Sequence, residues 1–314
     1  MTQQAIIIDT DPGQDDAVAL LLAAASPELE LLGVTAVAGN VPLRLTTLNA
    51  RKVLELAGRT DVPVCAGADA PLGAVPLVTA EHVHGDTGLN GVDLPEPALP
   101  VDPRHAVDFI VQTLREREPG TVTLCPLGPL TNIALALRQA PDIATRIKRI
   151  VLMGGGFFEG GNVTPAAEFN IYVDPQAAHE VFTSGVPITM APLDVTHQVL
   201  TTAARIAAIR ALPNRVGSVV AAWMEFFERY DEEKYGQDGG PLHDPCVIAF
   251  LLKPELFTGR DCNVRVETQS ELTRGMTVID WWAVTGLTAN AQVLRHVDAD
   301  GFFSLLTERL ARLG

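Results

Sequence analysis

The chain has 314 residues, 47% of them hydrophobic and 19% charged, which suffices for a substantial core and is far from the composition of a disordered chain. Its 38 acidic and 23 basic residues leave a formal charge of −15, and only four of the basics are lysines (Lys52, Lys148, Lys234, Lys253), so the cation clusters that displace phosphate counterions are missing and nucleic acid is an unsuitable partner. No run approaches the ~20 apolar residues of a membrane helix, and Met1-Thr2-Gln3-Gln4 enters Ala5-Ile6-Ile7-Ile8 without a cationic leader, which points to a cytoplasmic protein away from membranes. Four widely spaced cysteines, Cys65, Cys125, Cys246 and Cys262, fit reduced thiols better than a disulfide frame or a zinc site.

In chain order, short apolar runs alternate with helical patterns. The runs predict strands at Ala5–Ile8, Leu31–Ala36, Val62–Cys65, Val122–Cys125, Ile150–Met153 and Pro187–Met190. Between them, 3.6-residue periodicity predicts helices at Asp15–Ala25, Leu43–Ala57, Pro103–Glu116, Leu130–Gln139 and Pro175–Ser184. Thr201 to about Tyr235 reads as helical and His243–Leu252 as another helix, while Val264–Glu267 and Met276–Trp281 read as a late strand pair. Alternation of this kind defines an α/β fold, a mainly parallel open sheet flanked by helices. With no linker or repeat, residues 1–314 form one predicted domain.

Two aperiodic polar stretches leave from strand ends, where open α/β sheets bind ligands. One is Val78–Leu94, with His82, His84, Gly85 and Asp86; the other is Gly154–Asn170, which closes on Glu168-Phe169-Asn170. Asn162 shares the second loop, and this group of polar side chains suits hydroxyls. Gly154-Gly155-Gly156 lacks the spacing and the following helix of a dinucleotide loop.

The most informative segment is Asp9-Thr10-Asp11-Pro12-Gly13-Gln14-Asp15-Asp16, which places four carboxylates in eight positions directly after a strand. Asp9 and Asp11, two apart, face the same way while the backbone is extended, and Pro12-Gly13 turns the chain into the helix carrying Asp15 and Asp16. Like charges this close stay ionised only beside something positive, and a helix N-terminus supplies about half a unit charge. Capping accounts for Asp15 or Asp16, but not for Asp9 and Asp11 as well. A hard divalent cation, Ca²⁺ or Mg²⁺, suits an all-oxygen donor set. Later in the chain, His243-Asp244-Pro245 opens a helix after Gly239-Gly240, with Asp244 where a ligand or a cap would sit.

This acidic run resembles the DxDPGxDD signature of the inosine-uridine preferring nucleoside hydrolases, and further matches follow in order: Gly39-Asn40, His84-Gly85, Pro126-Leu127-Gly128-Pro129-Leu130-Thr131-Asn132, Met153-Gly154-Gly155, Glu168-Phe169-Asn170 and His243-Asp244-Pro245. The resemblance spans nearly the whole length. It implies a calcium-dependent enzyme that hydrolyses the N-glycosidic bond of ribonucleosides to free base and ribose. It further implies that Asp11, Asp16 and Asp244 ligate Ca²⁺ through their side chains and Leu127 through its main-chain carbonyl, with Asp9 behind them. The family often carries a hydroxylic residue at the Leu127 position, which a backbone ligand does not require. Asp15, Asn162, Glu168 and Asn170 would bind ribose hydroxyls, Phe169 would sit among them, Asn40 would hold the nucleophilic water or the sugar, and Met153 would pack near the ribose. His84 and His243 match the branch in which a histidine near the base assists its departure, and a homodimer or homotetramer is implied.

The chemistry is coherent on its own terms. An oxocarbenium-like ribosyl group calls for a base to take the water proton, for which Asp11 is suited, and an acid for the leaving base, for which His243 has an ordinary pKa of ~6.5. Candidates for the base pocket are Phe157, Phe158, Met224, Phe227, Tyr230 and Tyr235, although aromatics between Trp223 and Tyr235 at helical spacing equally suit a core, and Trp281-Trp282 suits a strand or interface. Two alternatives are a calcium-dependent nucleoside-binding protein without turnover and a haloacid-dehalogenase-type phosphatase, which shares an Asp-x-Asp after a strand but needs a phosphate-facing lysine that none of the four lysines supplies.

Overall fold

The structure is a computed structural model that describes residues 3–73, 76–235 and 239–314, with side chains described except at 228–235. In chain order the elements are β1 (Gln4–Thr10), α1 (Gln14–Ala24), β2 (Leu29–Ala36), α2 (Leu43–Leu56), β3 (Val64–Ala66), α3 (Glu81–His84), α4 (Ala106–Glu116), β4 (Val122–Pro126), α5 (Thr131–Gln139), β5 (Ile147–Met153), α6 (Phe169–Val173) and α7 (Pro175–Thr183). They continue as β6 (Ile188–Ala191), α8 (Leu193–Thr196), α9 (Ala203–Arg210), α10 (Arg215–Tyr235), α11 (Pro245–Leu252), β7 (Phe257–Cys262), β8 (Val264–Val266), β9 (Thr277–Ile279), β10 (Ala291–Val297) and α12 (Ala299–Leu310).

An eight-stranded sheet has the order β3-β2-β1-β4-β5-β6-β10-β7, and every pairing in it is parallel except that of β7 with β10. The strand order reverses between β1 and β4, so a crevice opens at their carboxyl ends. Asp9, paired with Pro126 in register, stands at that reversal. A separate antiparallel pair, β8 with β9, is the late strand pair expected from sequence. All four cysteines are buried free thiols.

The burial of β1 and α1 explains how the acidic segment is held. Ile6, Ile7 and Ile8 are buried on both faces of the sheet, and α1 is buried over Gln14–Ala23, with Leu20, Leu21 and Leu22 wholly enclosed. A helix that is apolar all round belongs in a core. It packs against α11, whose Pro245–Leu251 is likewise buried. Because α1 and α11 lie side by side and both begin at the crevice, Asp15 and Asp16 meet Asp244, and both helix N-termini face the carboxylates.

The predicted elements recur within about three residues of their expected ends, with informative differences. The helical stretch from Thr201 divides into α9 and α10 around Pro213, where Asn214 donates to the Leu310 and Leu313 carbonyls and accepts from Gly217 N–H. Strands β7 and β10 and helix α12 were not anticipated. Strand β7 is a sheet edge whose Thr258, Gly259, Arg260 and Asp261 are exposed, so it carries no apolar run to read. The two aperiodic loops contain α3 and the start of α6.

Candidate active site

The cavity above the crevice is lined by Asp15, Asn40, Leu127, Met153 and Asp244 on its floor side, by Asn162, Glu168, Phe169 and Asn170 from the long loop, and by His82, His84, His197, Phe227 and His243. No lysine or arginine is among these lining residues. The structure therefore gathers Asp15, Asn40, Met153, Asn162, Glu168, Phe169, Asn170, His84, His243, Leu127 and Asp244 at one cavity. Asp9, Asp11 and Asp16 lie beneath it, buried.

Each floor carboxylate is held by its own partners. Asp9 Oδ1 accepts from Thr35 Oγ1 (2.5 Å) and Asn132 Nδ2 (2.8 Å), and burial pushes its pKa up to about 7. Asn132 in turn accepts from Ala68 N–H and donates to the Ala36 carbonyl, so this amide ties β1, β2 and α5 together. Asp11 Oδ2 accepts from Asn40 N–H (2.7 Å), while its Oδ1 is buried with no hydrogen-bond partner among the described residues. Gly39 and Gly128 close over this carboxylate from either side, and a Cβ on either glycine would collide with its oxygens. Asp16 accepts from Thr10 Oγ1, Gly13 N–H (3.0 Å) and Asn40 Nδ2 (3.2 Å).

Asp15, Asp16 and Asp244 bring carboxylate oxygens within 4.8 Å of one another. This geometric group takes in Asp15, which the resemblance assigns to ribose, and does not include Asp11. Burial, then the neighbouring Asp16, raises the Asp15 pKa to about 7; Asp11 and Asp244 are raised well above the usual range, by burial first and then by the surrounding carboxylates. A cation among these carboxylates relieves their mutual repulsion without protonation. Together with the unpartnered Asp11 Oδ1, this oxygen-only donor set fits a hard divalent ion.

The loop residues hold one another as well as facing the cavity. Glu168 caps α6, accepting from Asn170, Ile171 and Gly155 N–H groups, and burial raises its pKa to about 7. Asn162 Oδ1 accepts from Phe169 N–H (2.9 Å). Asn170 Nδ2 donates to the Leu127 carbonyl (2.6 Å), the backbone oxygen expected at the metal, and lies 3.4 Å from Met153 Sδ. Asp194 anchors the preceding turn, accepting from Phe157, Phe158 and Glu159 N–H groups.

On the histidine wall, Phe227 stacks on His84 (centroids 5.6 Å apart) and meets His243 edge-on (6.3 Å). His243 Nδ1 lies 2.8 Å from Thr196 Oγ1. The ordinary histidine pKa expected for His243 does not hold here: burial, then His197 and His84, push it well below 6.5. Of the other base-pocket candidates, Met224 belongs to the core and Phe157 packs on the second core cluster. Phe158 meets Trp281 edge-on with Arg295 over its ring, at the surface. The side chains of Tyr230 and Tyr235 lie outside the described residues. Trp281 is buried and Trp282 exposed, in the turn beyond β9.

Sequence reasoning missed His197 and the second-layer residues Gln14 and Thr196. His197 follows α8 just beyond the carboxyl end of β6, so the rule that drew attention to the two loops applies to it too.

A cavity of this kind, at the strand reversal and with a carboxylate floor, is the site expected of a sugar-processing hydrolase on an open α/β sheet, and the comparisons agree. The profile described as inosine-uridine preferring nucleoside hydrolase matches residues 6–304, and the chain belongs to that family. Its members are N-glycosidases, which leaves the phosphatase alternative without support. The chain is 61% identical to an uncharacterized protein of Schizosaccharomyces pombe, covering 98% of this chain and 99% of that one. It is 53% identical to the pyrimidine-specific ribonucleoside hydrolase RihA of Photobacterium profundum, covering 98% of each. Among solved structures, the purine-preferring ribonucleoside hydrolase from Gardnerella vaginalis superposes with a TM-score of 0.92 at 34% identity, covering 99% of both chains. No helix among the described residues is long and apolar enough to cross a membrane.

Proposed function

We propose that this protein hydrolyses the N-glycosidic bond of pyrimidine ribonucleosides to free base and ribose, with Ca²⁺ as its resident ion. The observation that carries this reading is the buried floor of Asp11, Asp15, Asp16 and Asp244 beneath a cavity whose far wall holds His243. Asp11, Asp16 and Asp244 would hold the ion through carboxylates and Leu127 through its carbonyl, which keeps a second lone pair beside the Asn170 bond. Bound there, the ion would lower the pKa of the attacking water and orient the ribose diol.

The chain's own groups divide the remaining work. Asp11 Oδ1, aimed at no donor, takes the proton of the attacking water. Asp15, Asn162, Glu168 and Asn170 bind ribose hydroxyls: the Asn170 nitrogen is engaged at Leu127 and Met153, so its oxygen faces the sugar. Glu168 spends three acceptor sites on the backbone and keeps one. Asn40 steadies the nucleophile, Phe169 and Met153 pack against the sugar, and negative charge on the floor favours the positive charge that develops on the ribosyl group. The contact between Thr196 Oγ1 and His243 Nδ1 leaves Nε2 for the cavity, and with the hydroxyl as donor the neutral ring would present an Nε2–H that hydrogen-bonds the departing base and stabilises the charge developing on it.

The pyrimidine preference is supported by relatives named pyrimidine-specific at 51–53% identity, against 34% for the purine-preferring neighbour. Residues 1–314 are read as one nucleoside hydrolase domain because the main sheet draws strands from both ends of the chain. A cytoplasmic location, a small-molecule ribonucleoside as the only ligand class and assembly as a homodimer or homotetramer complete the proposal. Ribose release from uridine, cytidine and inosine tests it. The expected order places kcat/KM for uridine at least about tenfold above inosine, within the range that pocket contacts discriminate. Equal or faster inosine hydrolysis contradicts the preference, and nucleoside binding without ribose release contradicts turnover.

A further inference from the structure

Gln14, the variable position of the acidic signature, is buried and does not line the cavity, yet its amide reaches the histidine wall. Its Nε2 lies 3.0 Å from the His84 carbonyl and 3.1 Å from the Asn90 carbonyl, and its Oε1 lies 2.6 Å from His84 Nδ1. The orientation of this amide is forced: turned over, it would set its oxygen against two carbonyl oxygens, with no hydrogen between them. Both amide hydrogens are therefore committed to carbonyls, and Oε1 can only accept. His84 Nδ1 must supply the hydrogen.

The ring has little freedom to escape this bond. Phe227 stacks on it with planes 23° apart, and the Gly13 backbone approaches so closely that a Cβ there would meet Nδ1 at 2.5 Å. A flip of the ring about its own axis would put a carbon opposite Gln14 Oε1 and lose the bond. Burial, with His82 nearby, lowers the His84 pKa to about 3, so the imidazole is neutral and carries one N–H only. A neutral ring with its hydrogen on Nδ1 has a bare Nε2.

We infer that Gln14 is a positioning residue that locks His84 in its Nδ1–H tautomer, so that His84 offers the nucleoside a hydrogen-bond acceptor at Nε2. This rests on the proposed nucleoside substrate and deepens it. The two wall histidines then have opposite polarity: His243 donates to the base, and His84 reads a donor on the nucleoside, a hydroxyl or a ring N–H. The inference also removes His84 from the leaving-group acid role, since a bare nitrogen has no proton to give.

The tautomer is measured directly by ¹⁵N–¹H correlation spectra of the whole protein labelled with ¹⁵N-histidine, with the His84 signals identified by their loss in His84→Phe. At neutral pH, a protonated Nδ1 and a bare Nε2 are expected; a proton on Nε2, alone or with Nδ1, overturns the inference. Gln14→Met keeps the length of the side chain and removes the acceptor, so signals of the Nε2–H form should appear, with kcat/KM for uridine falling on the order of tenfold, the scale of one hydrogen bond. An unchanged tautomer in that variant shows that Gln14 is not the lock. The spectra need no turnover, so wild-type protein that releases no ribose would contradict the hydrolase reading while leaving the tautomer readout intact.

Discussion

The floor of the cavity comes from one short stretch, Asp9 to Asp16 between β1 and α1, joined by Asp244, whereas the histidine wall is assembled from α3, the end of α8, the middle of α10 and the approach to α11. The floor is fixed by local geometry: a buried strand, a Pro-Gly turn and a helix start leave the carboxylates few places to go. The wall is fixed only by packing, through contacts such as His84 on Phe227 and His243 on Thr196. Their chemistry divides in the same way. In the proposed reaction the floor would address what every ribonucleoside shares, water and the ribose diol, and the wall would address the base that leaves.

This division makes predictions of graded size. The largest effect concerns the diol. If Asp15, Asn170 and the floor cation read both hydroxyls, 2′-deoxyuridine leaves their polar groups unpaired, and kcat/KM should fall by up to ~10⁴–10⁵ relative to uridine. Comparable values would separate the floor from sugar recognition.

Next comes the base. Asp11→Asn keeps the shape between Gly39 and Gly128 but removes the proton acceptor, and turnover should fall by ~10²–10⁴ with the fold retained by circular dichroism. Because the proposed role of the floor is common to all substrates, the loss should be similar for uridine and for p-nitrophenyl riboside. Activity within a few-fold of wild type at saturating calcium would exclude Asp11 as the base.

The wall should behave differently. p-Nitrophenolate leaves without protonation, so His243→Ala should slow uridine hydrolysis about 10²-fold more than p-nitrophenyl riboside hydrolysis. Equal losses on both substrates would mean that His243 positions the neighbouring Asp244 and donates nothing.

The same contrast explains what the sequence made legible. Asp9–Asp16 could be read as a converging acidic site because all its determinants are local, and the α/β order followed from apolar runs that are buried on both faces, such as Ile6–Ile8. The histidine wall was only partly visible. His84 and His243 stood out through motif resemblance, but His197 and Gln14 gain meaning only when α1, α3 and α8 pack around one cavity. The outward turn of Phe158 depends on Trp281 and Arg295, more than a hundred residues away, and no local pattern encodes it. Strand β7 was illegible for a simpler reason: a solvated edge has no hydrophobic signature.

The central claim is that the carboxylate floor holds a cation required for hydrolysis, and it is tested most directly by measuring ribose release and the melting temperature of chelated and calcium-restored protein at about pH 6.5 and about pH 8. Without an ion, folded Asp15 and Glu168 keep their protons to about 7, against ordinary values of 3.8 and 4.5, so the folded state binds more protons than the unfolded one and stability falls as pH rises through about 7. The depressed pKa values of His84 and His243 act in the opposite sense, but only below the ordinary histidine value of about 6.5, so above it the carboxylates set the slope. The account predicts that chelation abolishes ribose release, that calcium restores it, and that the melting temperature gained with calcium is larger at the higher pH, where fewer protons compete with the ion for the floor carboxylates. Chelated protein shown to be free of metal that still hydrolyses uridine at the original rate, with an unchanged melting temperature at both pH values, would contradict it.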